Sequence, residues 1–452
     1  KLSYFYLFSV QRLGLTLGNS FMLIILSTFS LGGIETFFVR LAKERFKNGL
    51  KTKFLLFYRK KNVHNQQLLS EAQKYADVIF FPDIIGIPKA LDRLSIYNLF
   101  LLFPYYRDKL KSLFCDVKHV HVTGGHPAHF VLRIMRISRC YIPLTVATYH
   151  PETFCWEGGG NIPFFEKKNR ELVFDHLDRK NFIMPFGDYT NHFKKSIGVS
   201  MEAARCFPIG VINKKNDAIP KRNFGLGSVN SPLRICSVGR LVDFKTYNLW
   251  MQDVIADLIS DNIFVEYHIY GDGNLYSEIE DKIKEKNLFN HIFLHGNLEY
   301  SKFSDTVQCF DIFIGMGTAI VEAASLGVPS INCFPFSKDP VTSGFVSDAL
   351  ILTYSEEEKC QKLMVYDVIS SFLKLSEKQK QDISVKHIKK VNVFSIEECS
   401  KSFERVGLEA TVTKEGLSTT GWLIYMASFF FTLVRAKIFY KGSMDNLMHK
   451  SK

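Results

Sequence analysis

The sequence lacks the features of disulfide-stabilised, zinc-binding, fibrous and disordered proteins. Its nine cysteines are an odd number, lie scattered along 452 residues and include no Cys-x-x-Cys pair. A disulfide framework or a zinc module is therefore not expected, whereas a reducing compartment is. With 46% hydrophobic and 23% charged residues, the composition is that of a globular protein and excludes disorder, collagen and coiled coil. At roughly 150 residues per domain, the length predicts two or three domains.

The chain also has little that could cross a membrane. The tail, residues 416–452, contains the strongly apolar stretch GWLIYMASFFFTLV, which is shorter than the roughly 20 residues that a spanning helix needs. We expect this tail to form an apolar helix that lies in the membrane interface. Trp422 and Tyr425 would lie near the lipid headgroups, and the cations Arg435 and Lys437 follow. The alternative is a terminal helix packed on the body of the protein.

Acidic residues are outnumbered, since 57 Lys and Arg against 45 Asp and Glu give a net charge of +12. The excess is concentrated from Arg40 to Lys61, where nine cations accompany one anion, Glu44. Such a patch attracts nucleic acid or anionic lipid, unless it is only the solvated face of a basic helix. No nucleic-acid-binding module is recognised, and the basic runs lack interleaved stacking aromatics. An anionic membrane surface is therefore the expected partner, and nucleic acid is not.

The first residue is Lys rather than Met. We hypothesise that translation begins at Met22, directly before the strand-like run at 23–28, and that residues 1–21 are an extension without a catalytic role. A cleaved secretory signal is the alternative, which the cysteine pattern disfavours.

Strand-like and helix-like segments alternate along the chain. Segment 34–48 carries apolar residues three and four positions apart, which predicts a helix with one buried face. These residues are Ile34, Phe37, Phe38, Leu41, Ala42 and Phe46. Further strands are predicted at 53–58, 77–81, 119–122 and 143–149, and a further helix at 128–137. Because helices separate the strands, we predict a parallel sheet covered on both faces.

A polar stretch rich in Gly, Pro, Asn and Lys, at 212–232, reads as a linker between two halves. The strands predicted after it lie at 233–239, 263–271, 291–296, 310–315 and 329–334. The sequence thus predicts an α/β protein with two domains of similar size, 22–211 and 233–395. Segment 396–415 is expected to be a helix that returns toward the first domain. In open α/β sheets ligands bind beyond the carboxyl ends of the strands, so the residues that follow strands are informative.

The segment GRLVDFK after the first strand of the second half predicts an anion site. Arg240 and Lys245, which follow Gly239, straddle a strand-to-helix turn, where free N–H groups and the helix dipole favour a diphosphate. The alternative is a solvated pair of cations. Gly271 and Gly273 in the later segment YGDGN permit a tight turn, but the third glycine of a dinucleotide-binding fingerprint is missing.

The segment GMGTAIVEAASLGVPSI follows another strand. Gly315 and Gly317 would let the backbone approach a ligand closely, and Thr318 would begin a helix whose N–H groups can hold phosphate. Glu322, one turn later, could accept hydrogen bonds from sugar hydroxyls. Its alternative is a carboxylate on a helix surface.

In this order and at these spacings, GRLVDFK, YGDGNLYSEIE, IFLHGN and GMGTAIVEAASLGVPSI resemble the C-terminal domain of the GT4-type (group 1) retaining glycosyltransferases of the GT-B fold. The first half matches more loosely. Gly32, Gly33 and the IETFFVRLAKE that follows resemble the family's first loop and helix, and VATYHP resembles a strand that ends in a family histidine, here His150. FPIGV at 207–211 resembles the strand before the linker. The resemblance covers about residues 22–405.

The resemblance implies two facing Rossmann-like, doubly wound domains, the first on the acceptor side and the second holding a nucleotide diphosphate sugar. It implies sugar transfer with retention, with the nucleotide sugar as co-substrate and no cofactor. The chain has no Asp-x-Asp motif, so no metal is expected. Arg240, Lys245 and the helix N-terminus at Thr318 would then stabilise the departing diphosphate, aided by the amides of Gly32 and Gly33.

Further roles follow from the same resemblance. Glu322 would hold the ribose hydroxyls, and His150 would contact the donor sugar or orient the acceptor hydroxyl. The donor would also lie against four glycines, Gly239, Gly271, Gly315 and Gly317. The departing phosphate oxygen would take the acceptor proton, so no dedicated base is required. One departure from the family's paired glutamates is Ile314, which stands where the first of them is expected.

Charge and apolar surface indicate the acceptor. A basic first helix and an apolar tail fit a peripheral enzyme on the inner face of the cytoplasmic membrane, acting on a lipid-linked glycan in bacterial surface polysaccharide assembly such as O-antigen, capsule or exopolysaccharide. His126 and His129 in TGGHPAHF are acceptor-side candidates or have a structural role. Two alternatives stay open: a nucleotide-sugar 2-epimerase of the same fold, and a catalytically degenerate partner subunit, which Ile314 would explain.

Overall fold

A computed structural model describes residues 21–27, 29, 33–85, 105–149, 153–156, 162–185, 189–214, 221–348 and 361–439, without the side chains of 189–192, 437 and 439. The chain divides into two compact units. The first unit comprises the described residues up to Ile209 and those from Glu397 onward, and the second is Gly210–Ile396. The predicted extension, 1–21, therefore lies almost wholly outside the described residues.

The first unit contains a sheet of seven described strands, all parallel, in the order β3-β2-β1-β4-β5-β6-β7. The strands are β1 Phe21–Leu26, β2 Lys51–Leu56, β3 Asp77–Phe80, β4 Val117–Thr123, β5 Leu144–Ala147, β6 Phe182–Met184 and β7 Arg205–Cys206. β1 is apolar on both faces and buried along most of its length, as a central parallel strand requires. The strand expected at 207–211 instead lies at Arg205–Cys206.

Helices join these strands and pack on the sheet. They are α1 Gly33–Lys47, α2 Gln66–Ala72, α3 Arg107–Leu113, α4 Gly125–Ser138, α5 Phe164–Glu171, which a π-turn extends over Leu172–His176, and α6 Tyr189–Ile197. The chain returns to this unit through its last two described helices, numbered in chain order α13 Ile396–Glu409 and α14 Thr419–Phe439.

The buried face of α1 differs from the prediction at its end. Phe37, Phe38, Leu41 and Ala42 are buried as expected, but Phe46 is 58% exposed. Arg45 takes the inner position. Its side chain donates to the hydroxyl of Thr52 and the carbonyl of Lys51, and it pairs with Glu404 of α13. The inner position at this end of α1 is therefore occupied by a cation bound to β2 and α13, and the aromatic ring of Phe46 lies outside.

One further cation of the basic run also lies inside. The ammonium of Lys53 donates to the carbonyl of Cys115 at 2.8 Å and sits 4.3 Å from the ring centroid of Phe21. With Arg45 also buried, the run from Arg40 to Lys61 is not simply a solvated face, because two of its cations are used to join β2 to its neighbours.

The second unit contains a second sheet of seven described strands, in the order β10-β9-β8-β11-β12-β13-β14. They are β8 Leu233–Val238, β9 Val265–Tyr270, β10 Ile292–Leu294, β11 Ile312–Gly315, β12 Ser330–Cys333, β13 Val341–Phe345 and β14 Leu363–Met364. The strands up to β12 are parallel, but β13 is antiparallel to β12 and β14 to β13. The predicted strands of this half are parallel as expected, and the two antiparallel strands at this edge, β13 and β14, are additional to the prediction.

The helices of the second unit are α7 Tyr247–Ser260, α8 Tyr276–Glu285, α9 Phe303–Val307, α10 Thr318–Ser325, α11 Val365–Leu373 and α12 Glu377–Val391. Part of the segment predicted as a linker belongs to this unit. Phe224 is 7% exposed and packs on Phe372, and Asp311 accepts the N–H groups of Gly225 and Arg234.

α14 packs on the first unit through residues that were predicted to face lipid headgroups. Trp422 is 1% exposed and Tyr425 is fully buried, both in the core of the first unit. Their predicted position at the membrane interface is therefore wrong. The sequence alone does not show which face of this helix packs inward, because both faces are apolar. No helix in the described part of the chain is long and apolar enough to span a bilayer.

Candidate functional site

The candidate site of the second unit is built on two adjoining loops. One follows β8 and contains Gly239 and Leu241; the other follows β9 and contains Gly271 to Gly273. The N–H of Gly239 donates to the carbonyl of Tyr270 and the N–H of Leu241 to that of Asp272, both at 2.9 Å. The two loops therefore form one rigid layer at the carboxyl end of the sheet, where parallel α/β sheets bind ligands.

The glycines of the second loop are required by this contact. A β-carbon at Gly271 would lie 1.9 Å from the carbonyl oxygen of Gly239, and one at Gly273 would lie 2.2 Å from that of Leu241. No side chain fits either gap. The GDG turn thus supports the backbone of the loop that carries the two cations, Arg240 and Lys245.

Arg240 lies close enough to Lys245 for its charge to act on the ammonium. Burial, and secondarily the charge of Arg240, lower the pKa of Lys245 to about 8. Arg240 is exposed and Lys245 is half-buried. Within the described residues neither side chain has a carboxylate partner or a side-chain hydrogen bond. Two adjacent cations without a counter-charge, just before helix α7, form a site that a bound anion would stabilise.

The third piece of the predicted site lies where β11 runs into α10. Gly315 is the last residue of β11, and Gly317, with φ of +71°, precedes the helix and provides no side chain to cap it. Thr318 is the first residue of α10, so its own N–H is among the first N–H groups of that helix, which have no partner within it. Glu322 follows one turn later and is half-buried.

Ile314, which stands where the resemblance places the first of the paired glutamates, lies inside the second unit. Its side chain is fully buried in the core of the second unit, and it pairs with Ile331 of β12. β11 therefore leads directly into the Gly-Met-Gly-Thr turn, and a charged side chain at position 314 would be inside the protein.

Sequence reasoning missed a stack of rings at the ends of β9 and β10. The rings of Tyr270 and His295 lie 4.4 Å apart at 13°, and those of His295 and His268 lie 5.1 Å apart at 4°. The Nδ1 of His268 and Nε2 of His295 share a hydrogen bond of 2.9 Å, and burial lowers the pKa of both imidazoles. His295 is exposed. The signal available in the sequence was the recurrence of His and Tyr at the ends of two predicted strands, next to GDG and IFLHGN.

Two predicted residues, Gly32 and His150, lie outside the described residues. Gly33 is the first residue of α1 and is half-buried.

Tyr149, the neighbour of His150, ends a buried chain of hydrogen bonds. Its hydroxyl is 3.0 Å from Nε2 of His121, whose Nδ1 is 2.9 Å from the hydroxyl of Thr145. Burial holds the pKa of His121 well below its ordinary value, so the imidazole is neutral at physiological pH.

His126 and His129 are brought together by α4, but they face the tail helix. The ring of His126 stacks on Phe429 at 4.4 Å, and its Nδ1 lies 2.8 Å from the hydroxyl of Tyr425. Because that hydroxyl donates to Asn169 at 2.7 Å, Nδ1 of His126 must be the donor toward Tyr425. His129 contacts the carbonyl of Lys168 through Nε2 at 3.0 Å.

Both imidazoles are neutral at physiological pH. Burial lowers the pKa of His126 to about 3 and that of His129 to about 4. In the described structure these two histidines attach α14 to α4 and α5, which is the structural role left open by the sequence. Among the described residues, no group of three or more His, Cys, Asp or Glu side chains is placed to hold a metal ion.

Comparisons with known proteins bear on the fold. No family model matches the chain. The chain is 22% identical over 320 residues to "Putative glycosyltransferase EpsF" of Bacillus subtilis (strain 168), a match that covers 68% of this chain and 77% of EpsF. This identity is low, so it indicates a relationship without settling an activity.

Solved structures match over a larger part of the chain. Anabaena HepE, solved in complex with UDP and glucose, has a TM-score of 0.55 at 14% identity and covers 85% of this chain and 98% of its own. A variant of S. aureus TarM, solved with UDP, has a TM-score of 0.57 at 13% identity, with 86% and 99% covered. Sucrose-phosphate synthase of Thermosynechococcus elongatus has a TM-score of 0.56 at 10% identity. That match covers 86% of this chain and 98% of the synthase. Together with the two sheets, these likenesses show the two-domain GT-B fold.

Proposed function

We propose that this protein is a glycosyltransferase that transfers a sugar from a nucleoside diphosphate sugar to a glycan acceptor, with retention at the anomeric carbon. The acceptor is a lipid-linked glycan of bacterial surface polysaccharide assembly at the inner face of the cytoplasmic membrane. The observation that carries the proposal is the pair Arg240 and Lys245 at the carboxyl end of the second sheet, whose charges no described side chain neutralises.

The pair suits a diphosphate for an electrostatic reason. Burial and the neighbouring guanidinium cost Lys245 part of the stability of its charged form, which is why its pKa falls to about 8. A diphosphate placed between the two cations removes that repulsion, so binding energy is gained that a neutral ligand could not provide. The same contact grows stronger as the sugar departs, because negative charge then develops on the bridging oxygen.

The remaining roles follow from position. The first N–H groups of α10, beside Thr318, would hold the second phosphate, and Glu322 would accept hydrogen bonds from ribose hydroxyls. The exposed ring of His295, backed by Tyr270, offers a flat surface on which a nucleobase can stack. The leaving phosphate oxygen would take the acceptor proton, with no side-chain base, and we propose no resident metal.

The proteins to which the chain is similar support this assignment. EpsF carries the name of a glycosyltransferase, and HepE and TarM were solved with UDP. A shared fold alone does not establish an activity, so the residues of the cation pair remain the basis of the proposal.

A binding screen followed by product analysis tests the function. A bound ligand at about 100 times its Kd stabilises a protein by about 2.7 kcal/mol, so UDP-, GDP- and dTDP-sugars can be compared by thermal shift. We expect one of these classes to raise Tm in the native protein but not in Arg240→Ala or Lys245→Ala. Lys284→Ala is the matched control, since Lys284 is an exposed cation of α8 in the same unit.

The product separates the alternatives. Transfer to a polyprenyl-diphosphate-linked glycan with the anomeric configuration retained, read by NMR, supports the proposal. Conversion of the donor to a second nucleotide sugar without acceptor would instead assign a 2-epimerase. Failure of every nucleotide sugar to raise Tm would overturn the donor site and favour a degenerate partner subunit.

A further inference from the structure

α14, the helix Thr419–Phe439, has an outer face as apolar as its inner one. Five large residues on it are exposed: Leu423 49%, Ile424 52%, Phe431 72%, Val434 55% and Ile438 66%. Four of them, with the exposed Ala427, recur at alternating intervals of three and four from position 424 to 438. That spacing places them on one side of the helix, as a stripe about 21 Å long at 1.5 Å per residue. We name this stripe the outer face.

The inner face fixes the helix to the first unit. Trp422, Tyr425 and Met426 lie in its core. The hydroxyl of Ser428 accepts the N–H of Phe165 near the start of α5, at 3.2 Å. Because polar bonds as well as apolar packing hold the helix, the outer face is a fixed surface of the protein.

Three hydrogen bonds from two arginines of α4 secure the segment that leads into the helix. Arg136 donates to the carbonyls of Gly416 and Leu417, each at 2.9 Å, and Arg133 donates to the hydroxyl of Thr419 at 2.9 Å. The start of α14 is therefore held in place before its first turn.

Exposed cations lie on α14 and on its neighbour α5. Residues 419–439 contain no Asp or Glu, and Arg435 is exposed beside the stripe. On α5, which packs against α14, Phe164 is 37% exposed and Lys167 is exposed. An apolar stripe bordered by cations is complementary to an anionic lipid surface, where acyl chains lie beneath negative headgroups.

We propose that the outer face of α14 docks in the headgroup region of an anionic bilayer, with the helix parallel to the membrane surface. A second copy of the chain is the less suitable occupant. Where two helices pair through apolar stripes, oppositely charged residues beside each stripe form salt bridges between the helices and determine which helices pair. Here Arg435 beside the stripe would meet no Asp or Glu on α14 of a second copy, since residues 419–439 contain none. The proposal is independent of the enzymatic activity, because it rests on the first unit and on α14 alone.

Flotation with vesicles tests the proposal. The probes are vesicles of phosphatidylcholine with and without phosphatidylglycerol, and the proteins are the full chain, Phe431→Glu, Ile438→Glu and Phe289→Glu. Phe289 is the matched control, since it is 53% exposed in the second unit. We expect each outer-face variant to lower the partition coefficient on anionic vesicles at least about tenfold, with Tm unchanged, because each removes a buried apolar side chain from the bound state.

The outcomes are decisive in both directions. Strong flotation of the native protein and of Phe289→Glu on anionic vesicles, weaker flotation on phosphatidylcholine, and loss in both outer-face variants support the proposal. Sedimentation of the native chain as a dimer that Phe431→Glu converts to a monomer, with vesicle binding unaltered, would assign the outer face to a second copy. Absence of flotation by the native protein overturns the proposal, whatever its activity on nucleotide sugars.

Discussion

The ammonium of Lys245 lies against the α-carbon of Gly239, so close that a β-carbon at position 239 would be 2.8 Å from Nζ. The bare backbone at this position leaves room for the ammonium where it lies, and an added methyl group would displace this flexible end of the side chain.

Gly239→Ala should displace the ammonium and weaken UDP binding about tenfold, equivalent to about 1.4 kcal/mol. Isothermal titration calorimetry measures the change in Kd. The control is Gly49→Ala, because Gly49 also has positive φ, +73°, but nothing lies within 4 Å of its added β-carbon. Equal Kd values in Gly239→Ala and the native protein would show that the position of Lys245 does not matter for the ligand.

Nucleotide binding should weaken as pH rises through about 8, the lowered pKa of Lys245. Below that value the amine is charged and attracts the diphosphate; above it the unliganded protein must first take up a proton, so Kd rises by up to about tenfold per pH unit. Calorimetry from about pH 7 to about pH 9.5 covers the deprotonation of Lys245. Lysines with the ordinary pKa of about 10.4 stay mostly charged over this range. Lys245→Arg is the matched variant: its guanidinium stays charged, so the decline near pH 8 should disappear. Persistence of that decline in Lys245→Arg would assign it to another group.

Ile314→Glu should unfold the second unit at lower urea concentration and should not create a catalytic carboxylate. Position 314 is fully buried, so an unpaired carboxylate there costs at least about 3 kcal/mol. Ile314→Val, which removes one methylene, should cost about 1 kcal/mol. Urea titration followed by circular dichroism gives both midpoints. A Glu variant as stable as the native protein, with higher transferase activity, would place this side chain in the site instead of the core.

Tyr425→Phe should destabilise the first unit by about 1–3 kcal/mol, because it removes the hydroxyl that joins His126 to Asn169 across three helices. Thermal unfolding gives the difference. Tyr141→Phe is the control, since Tyr141 is 46% exposed in the same unit and its ring loses no buried contact. If both variants unfold at the native temperature, the hydrogen-bonded chain contributes nothing to holding the tail helix.

Much of the fold was predictable because central parallel strands such as β1 and β11 are runs of apolar residues that must be buried on both faces. Predicted and observed strands agree within a few residues, as at 233–239 against Leu233–Val238 and at 310–315 against Ile312–Gly315. The carboxyl-end loops were predictable for the same reason, since glycine and charge follow an apolar run wherever a strand leaves the core. Two antiparallel strands at the edge of the second sheet were not, because β13, Val-Thr-Ser-Gly-Phe, is not an apolar run and β14 has only two residues.

Residue types along the chain thus determined the alternation of strands and helices and the loop in which Arg240 and Lys245 stand. Tertiary structure decided which residues face inward wherever two choices were chemically alike. In α14 both faces are apolar, and only the available partners on α4 and α5 turn Trp422 and Tyr425 toward the core and Phe431 toward the surroundings. The sequence shows that an apolar face must be buried. The shape of the neighbouring helices determines which face is buried and against which residues it packs.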